Sequence, residues 1–238
     1  TIGLTLADDD AGSSASSTTV TVNNVVPVLG SLVATTIDEN GTTTLTGNIT
    51  DPGTLDTFTL DVNWGDPLSA NNIEQYTYAA GTTSFTLTHQ YLDDNPTATA
   101  TDNYTIGLTL ADDDAGSSSS STTVTVNNIV PLLGNLVITT IDENGATTLT
   151  GTITDPGTLD TFTLDVNWGD ELSPNNIEQY TYGAGSTSFT LTHQYLDDNP
   201  TATAADNYTI GLALTDDDMG SSASSTTVIV NNVVPVLG

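Results

Sequence analysis

The side chains able to do chemistry in this sequence are carboxylates, and they come in groups. Asp112, Asp113 and Asp114 are consecutive, Asp93 adjoins Asp94, Asp38 adjoins Glu39, and Asp51 and Asp56 bracket a Pro-Gly-Thr-Leu segment. The same pattern returns further on as Asp155 and Asp160 with Asp216, Asp217 and Asp218. Grouped carboxylates, with asparagine and backbone carbonyls nearby, supply the roughly six to eight hard oxygens that calcium takes. Magnesium demands a tighter octahedron, and transition metals want the nitrogen or sulfur that these groups lack. The expected ion is therefore Ca2+, with all fourteen of these acids as candidate ligands. The competing reading is a set of solvated acidic turns that serve only solubility or a saline habitat.

Catalysis finds no comparable constellation. His89 alternates with Phe85, Leu87 and Tyr91 on an apolar stripe, and neither it nor His193 has a serine or cysteine nucleophile motif beside it. Nothing singles out a pair of acids for glycosidase work across a cleft. The expectation is a protein that is not an enzyme.

The remaining composition narrows the partners. Among 238 residues there are 30 acids and no lysine, arginine or cysteine, a formal charge of −30. Nucleic acid and anionic membranes are excluded, because binding either needs cationic side chains to displace counterions. No run approaches the roughly 20 apolar residues of a membrane span. Disulfides and lysine-based isopeptide staples are chemically impossible. Strong acidity with few aromatics also fits a disordered chain. The apolar pattern argues otherwise: Phe58, Leu60, Val62 and Trp64 alternate with polar residues, as do Tyr104, Ile106, Leu108 and Leu110, which is the period of a strand with one buried face.

These segments recur. Trp64 returns as Trp168 and His89 as His193, each 104 positions on, and residues 25–128 match 129–232 at 88 of 104 positions. Near-identical tandem copies are the signature of a structural array. The Asn-Asn pairs at 23–24, 127–128 and 231–232 mark the expected junctions. The expected organisation is the tail of one repeat (1–24), two full repeats (25–128 and 129–232) and the start of another (233–238), an excerpt from a longer array. Within a repeat the alternation predicts only strands, near 30–36, 42–50, 57–64, 73–78, 82–91, 103–110 and 122–127, so the fold class is all-β, antiparallel sandwich. Ser117 to Ser121 reads as a flexible loop, and Asp61 and Glu74, lying on strands, should face water.

Asp51-Pro-Gly, Val62-Asn-Trp-Gly-Asp66, His89-Gln-Tyr91, Asn103-Tyr-Thr-Ile and Asp112-Asp-Asp-Ala-Gly116, in that order, resemble the PKD (polycystic kidney disease) family of immunoglobulin-like domains along each whole repeat. The resemblance implies extracellular β-sandwiches of the kind strung in tandem in bacterial and archaeal surface proteins. Where the family has Gly after its Trp-Asp-Phe-Gly-Asp, this chain has Pro67 and Glu171. A longer loop through Asn71-Asn72 is expected to replace the tight turn.

Immunoglobulin topology then places the acids. One pole should gather Asp51, Asp56 and Asp112 to Asp114 beside Asn23 and Asn24, and the other Asp38, Glu39, Asp93, Asp94 and Asp102. In tandem, one acidic pole meets the next, and the facing charges need a cation. The expected role is a calcium-stiffened stalk or filament of a cell-surface or adhesin-type protein, its partners the neighbouring repeats, with lateral homo-association into filaments as an extension. The alternative is a repeated glycan- or protein-binding module, with Trp64 and Tyr104 as stacking residues instead of core and corner.

Overall fold

The computed structural model describes residues 1–95, 97–199 and 201–237, so Gly238 of the expected 233–238 segment lies outside it. Every regular element among the described residues is a strand. Thr, Val, Ile and aromatic residues at alternate positions favour a pleated, half-buried backbone, and the glycine- and aspartate-rich segments between them favour turns.

A hairpin of β1 (Ile2–Ala7) and β2 (Ser13–Thr18) comes first. The first full copy holds β3 (Val28–Ala34), β4 (Ile37–Asp38), β5 (Thr42–Thr50), β6 (Phe58–Asn63), β7 (Ile73–Tyr78), β8 (Ser84–Gln90), β9 (Thr101–Asp112) and β10 (Ser117–Asn127). One sheet has the order β3-β5-β8 and the other β4-β10-β9-β6-β7. All pairings are antiparallel except the short β4, which lies parallel to β10 with Ile37 opposite Val126. This is the immunoglobulin-like arrangement, with the first strand divided between the two sheets. The second copy repeats it with β11 (Leu132–Ile138), β12 (Ile141–Asp142), β13 (Ala146–Thr154), β14 (Phe162–Asn167), β15 (Ile177–Tyr182), β16 (Ser188–Gln194), β17 (Ala205–Asp216) and β18 (Ser221–Asn231).

Each sandwich closes over its own core. Leu45, Ile49, Phe85 and Leu87 from the smaller sheet pack with Phe58, Leu60, Val62, Ile106, Leu108, Leu110, Val124 and Val126 from the larger. Full burial of such a side chain stabilises by about 1.5–3 kcal/mol. Trp64 is wholly buried and stacks on the His89 ring at a centroid distance of 4.8 Å. His89 Nε2 in turn meets Asp66 Oδ2 at 3.1 Å, so the histidine is a satisfied core residue. Tyr91 Oη donates to the Trp64 carbonyl at 2.8 Å, and Tyr104 Oη to that of Asp93 at 3.1 Å, pinning the loop that carries the acids.

The loop after β6 runs through Asn72, which takes the Trp64 N–H on its carbonyl and the Asp66 N–H on its side-chain oxygen, both at 2.8 Å. Gly65 makes the turn possible. Its φ is +74°, and a β-carbon there would lie 2.5 Å from the Thr105 carbonyl oxygen.

Two expectations are corrected. Ser117 to Ser121 is not a flexible loop: it extends β10, in unbroken register with β9 from Ala111 opposite Ser117 to Gly107 opposite Ser121. Asp112 closes the hairpin, its Oδ1 accepting the N–H groups of Asp114 (3.0 Å) and Gly116 (2.6 Å), and the serines follow because the ladder continues. Glu74 does not simply face water either. Its Oε2 accepts the Trp64 indole N–H at 2.8 Å and the Tyr76 hydroxyl at 2.7 Å, because a buried indole needs an acceptor and this edge-strand carboxylate reaches it. Asp61 is exposed, as its strand position predicts.

Candidate metal centre

The connection between the two copies is short and fully engaged. Asn128 donates its backbone N–H to Ala100 and its side-chain amide to Asp216 Oδ2 at 3.0 Å, across the joint. Ile129 N–H donates to Glu39 Oε1 at 2.7 Å, and Thr158 N–H of the second copy to the Leu92 carbonyl of the first at 3.2 Å. Pro131 then restricts Val130 to extended backbone.

An apolar peg adds to these bonds. In the second copy Gly169, Asp170, Glu171, Leu172, Asn199 and Tyr208 line an open cavity of about 420 Å³. In the first copy, Leu159 from the second seats against the counterparts Asp66, Leu68, Asn95 and Tyr104, and only about 10 Å³ remains. Leu55, the counterpart of Leu159 with no full copy before it, is 83% exposed.

Around that peg, carboxylates converge from both copies. Oxygens of Glu39, Asp155 and Asp160 lie within 4.8 Å of one another, as do those of Asp93, Asp160 and Asp218, and those of Glu39, Asp93 and Asp94. Asp94 is 0% and Asp160 1% exposed, and among the described residues neither has a hydrogen-bond partner on either carboxylate oxygen. One oxygen each of Glu39, Asp93 and Asp155 is likewise buried and unpartnered. Gly157 permits the approach: a β-carbon there would collide with the carboxylates of Glu39 and Asp160.

Buried carboxylates without partners are costly in ionised form, since water's solvation is lost and nothing replaces it. Burial, reinforced by Glu39, Asp155 and Asp93, pushes Asp160 up to about 9. Glu39 rises to about 8, chiefly by burial, against the opposing hydrogen bond from Ile129. Burial, then Asp218 and Asp93, takes Asp94 to about 8. Burial and Asp93 take Asp218 to about 6. Asp155 is raised too, first by burial. A divalent cation held by these oxygens would reverse the penalty, because its charge is the largest in the site.

The other candidate acids fall differently. Asp51, Asp56 and Asp112 form a trio at the far pole of the first copy, where Asp112 is held below the usual carboxylate range mainly by the Asn24 amide at 2.8 Å. Burial and then Asp51 raise Asp56, which is only half-buried. Asp113 and Asp217 are not drawn in; each braces a loop by accepting the N–H of Thr57 or Thr161. Asp114 is exposed, and Asp216 is committed to the N–H groups of Asp218 and Gly220 and to Asn128. Asp38 is exposed and accepts from Asn127 Nδ2 at 3.2 Å, because β4 turns its side chain away from the joint. Asp102 holds the Thr97 backbone and hydroxyl. One further trio, Glu143, Asp197 and Asp198, went unnamed in the sequence reading, although shifting Glu39, Asp93 and Asp94 by one repeat finds it.

The repeat supplies its own control. Glu143 is half-buried and Asp197 exposed at a pole with no copy docked on it, while their counterparts Glu39 and Asp93 are each 3% exposed. Docking completes the burial that the loop begins: Asp198, at the undocked pole, is 8% exposed, and its docked counterpart Asp94 is 0%.

No family model matches the chain, and no curated protein matches it. Among solved structures it is similar to the tetra-tandem repeat in the extending region of a large adhesion protein, at 18% identity and a TM-score of 0.43, over 95% of this chain and 54% of that one. It is also similar to dimeric latent PorU from Porphyromonas gingivalis, at 13% identity and a TM-score of 0.31, over 90% of this chain and 21% of that one. The chain thus spans about half the length of the first of these structures.

Proposed function

We propose that this chain is part of an extracellular, cell-surface array of PKD-type immunoglobulin-like repeats, with 25–128 and 129–232 as complete repeats, that serves as a calcium-stiffened stalk. The observation that carries the reading is the joint itself. Two sandwiches meet with almost no linker, a leucine peg seats in a socket, and unpartnered carboxylates from both sides are driven together. Such an arrangement is stable with a cation in place and self-repelling without one. It suits a spacer that must hold its direction, and it makes each repeat's main partner the next repeat. Glycan binding finds less support, since Trp64 and Trp168 are wholly buried and Tyr104 is 5% exposed.

Small-angle scattering on a chain of several repeats tests the proposal. With calcium it should report a stiff rod rising about 40 Å per repeat, from strands of about 3.3 Å per residue plus the joint. After chelation it should report a bent, variable chain. A compact globule, or equal flexibility in both conditions, would overturn the stalk.

A further inference from the structure

We infer that the joint holds two divalent cations, bridged by Asp160, one beside Glu39 and Asp155 and the other beside Asp93 and Asp218. This deepens the calcium-stiffened reading and rests on it. Three observations lead there.

The first is how the carboxylates are shared. Of the groups among the described residues whose oxygens lie within 4.8 Å of one another, two draw ligands from both copies, and Asp160 is the residue common to both. The remaining groups each lie within one copy, and two of them, Asp51 with Asp56 and Asp112 and Glu143 with Asp197 and Asp198, lie at poles with no full copy docked, so they are halves of a site and not the site. An oxygen–oxygen separation below 4.8 Å suits a calcium ion with ligands at about 2.3–2.6 Å.

The second is the state of the oxygens. Asp160 is 1% exposed with both of its carboxylate oxygens unpartnered among the described residues, a state it shares with Asp94 but, unlike Asp94, in groups that span the two copies. A carboxylate serving one cation in monodentate fashion would leave its second oxygen to a donor, yet none is supplied. Glu39 and Asp155 each commit one oxygen to a backbone N–H, of Ile129 and Gly157, and keep the other free among the described residues. Asp93 gives one oxygen to Asn95 and keeps the other free.

The third is charge. Glu39, Asp93 and Asp94 face Asp155, Asp160 and Asp218, and the chain contains no lysine or arginine to approach them. One divalent cation leaves four negative charges in a cluster of which only Asp155 is half-exposed. Two leave a residue of charge that the rim can share with solvent, which is why a single ion is the poorer solution.

Native mass spectrometry and calorimetric titration of the 238-residue chain with calcium chloride test the inference, using single Asp→Asn variants. Far-ultraviolet dichroism serves to establish that each variant is folded. Asp160→Asn should remove two tightly bound equivalents relative to the unaltered chain, while Asp155→Asn and Asp218→Asn should each remove one. The double variant Asp155→Asn/Asp218→Asn should match Asp160→Asn. If Asp160→Asn removes one equivalent only, or the double variant loses no more than either single, the joint holds one ion and the inference fails while the stalk reading stands. A chain that binds no calcium at all would sink both.

Discussion

Glu39 Oε1 accepts the backbone N–H of Ile129 at 2.7 Å, ninety residues further along the chain, and leaves Oε2 buried with no partner among the described residues. One side chain thus fastens the linker and offers its free oxygen to the acids of the next repeat. Glu39→Gln keeps an acceptor for Ile129 and removes the charge. A cation that binds only the native state adds about 2.7 kcal/mol at a concentration near 100 times its dissociation constant. We expect calcium to raise the melting temperature of the unaltered chain clearly and that of Glu39→Gln much less. Without calcium the variant should melt no lower than the parent. Superimposable melts of the parent with calcium and with chelator, at matched ionic strength, would remove the ion from the account.

In the chelated protein, stability should fall as pH rises. Glu39 and Asp94 are raised to about 8 and Asp160 to about 9, so between the unfolded carboxylate range near 4 and these values the native state binds more protons than the unfolded one. The sign of the slope is therefore negative: stability is present at low pH and lost between about 4 and 9. Calcium should flatten or invert that slope, because it favours the ionised form. Melts from pH 5 to 9 with chelator and with calcium measure both. A chelated protein whose stability rises over this range would show that the acids are not buried together.

Leu159 occupies a socket in the first copy that retains about 10 Å³, where the corresponding open cavity of the second copy is about 420 Å³. Leu159→Ala should weaken docking of the two repeats by about 1–2 kcal/mol, less than for a fully buried leucine because Leu159 stays half-exposed. Leu55→Ala, at its 83% exposed counterpart, should change stability by under about 0.5 kcal/mol. Hydrogen exchange of the Thr158 amide, which bonds Leu92 across the joint, reports the opening directly. Equal protection in the two variants would contradict a peg.

Glu74 accepts from both Trp64 and Tyr76. Glu74→Ala strands a buried indole N–H and should cost about 1–3 kcal/mol in urea unfolding. Asp61→Asn, on an exposed strand position, should cost under about 0.5 kcal/mol. Similar losses in the two would mean that the Trp64 indole finds water instead.

Periodicity alone determined the core-facing strands of this protein. Phe58, Leu60 and Val62, or Ile106, Leu108 and Leu110, point to one side because a strand's side chains alternate, and the 104-residue recurrence made the second sandwich a copy of the first. The acids of the pole loops were equally legible as a class, since aspartate runs between apolar strands belong to turns. What no pattern could separate was Asp38 from Glu39, or Asp113 from Asp112: neighbours in sequence, they diverge because Glu39 reaches the Ile129 N–H while Asp38 stays exposed, and Asp112 closes its own hairpin while Asp113 braces Thr57. Ser117 to Ser121 joined β10 through pairing with a partner strand, a long-range fact invisible in five serines. Glu74 was claimed by an indole ten residues away in sequence and opposite it across the sheet edge. The burial of Asp160 exists only where two copies dock: its counterpart Asp56, in the same local sequence, remains half-exposed, because desolvation is a property of what packs against a residue and not of the residue itself.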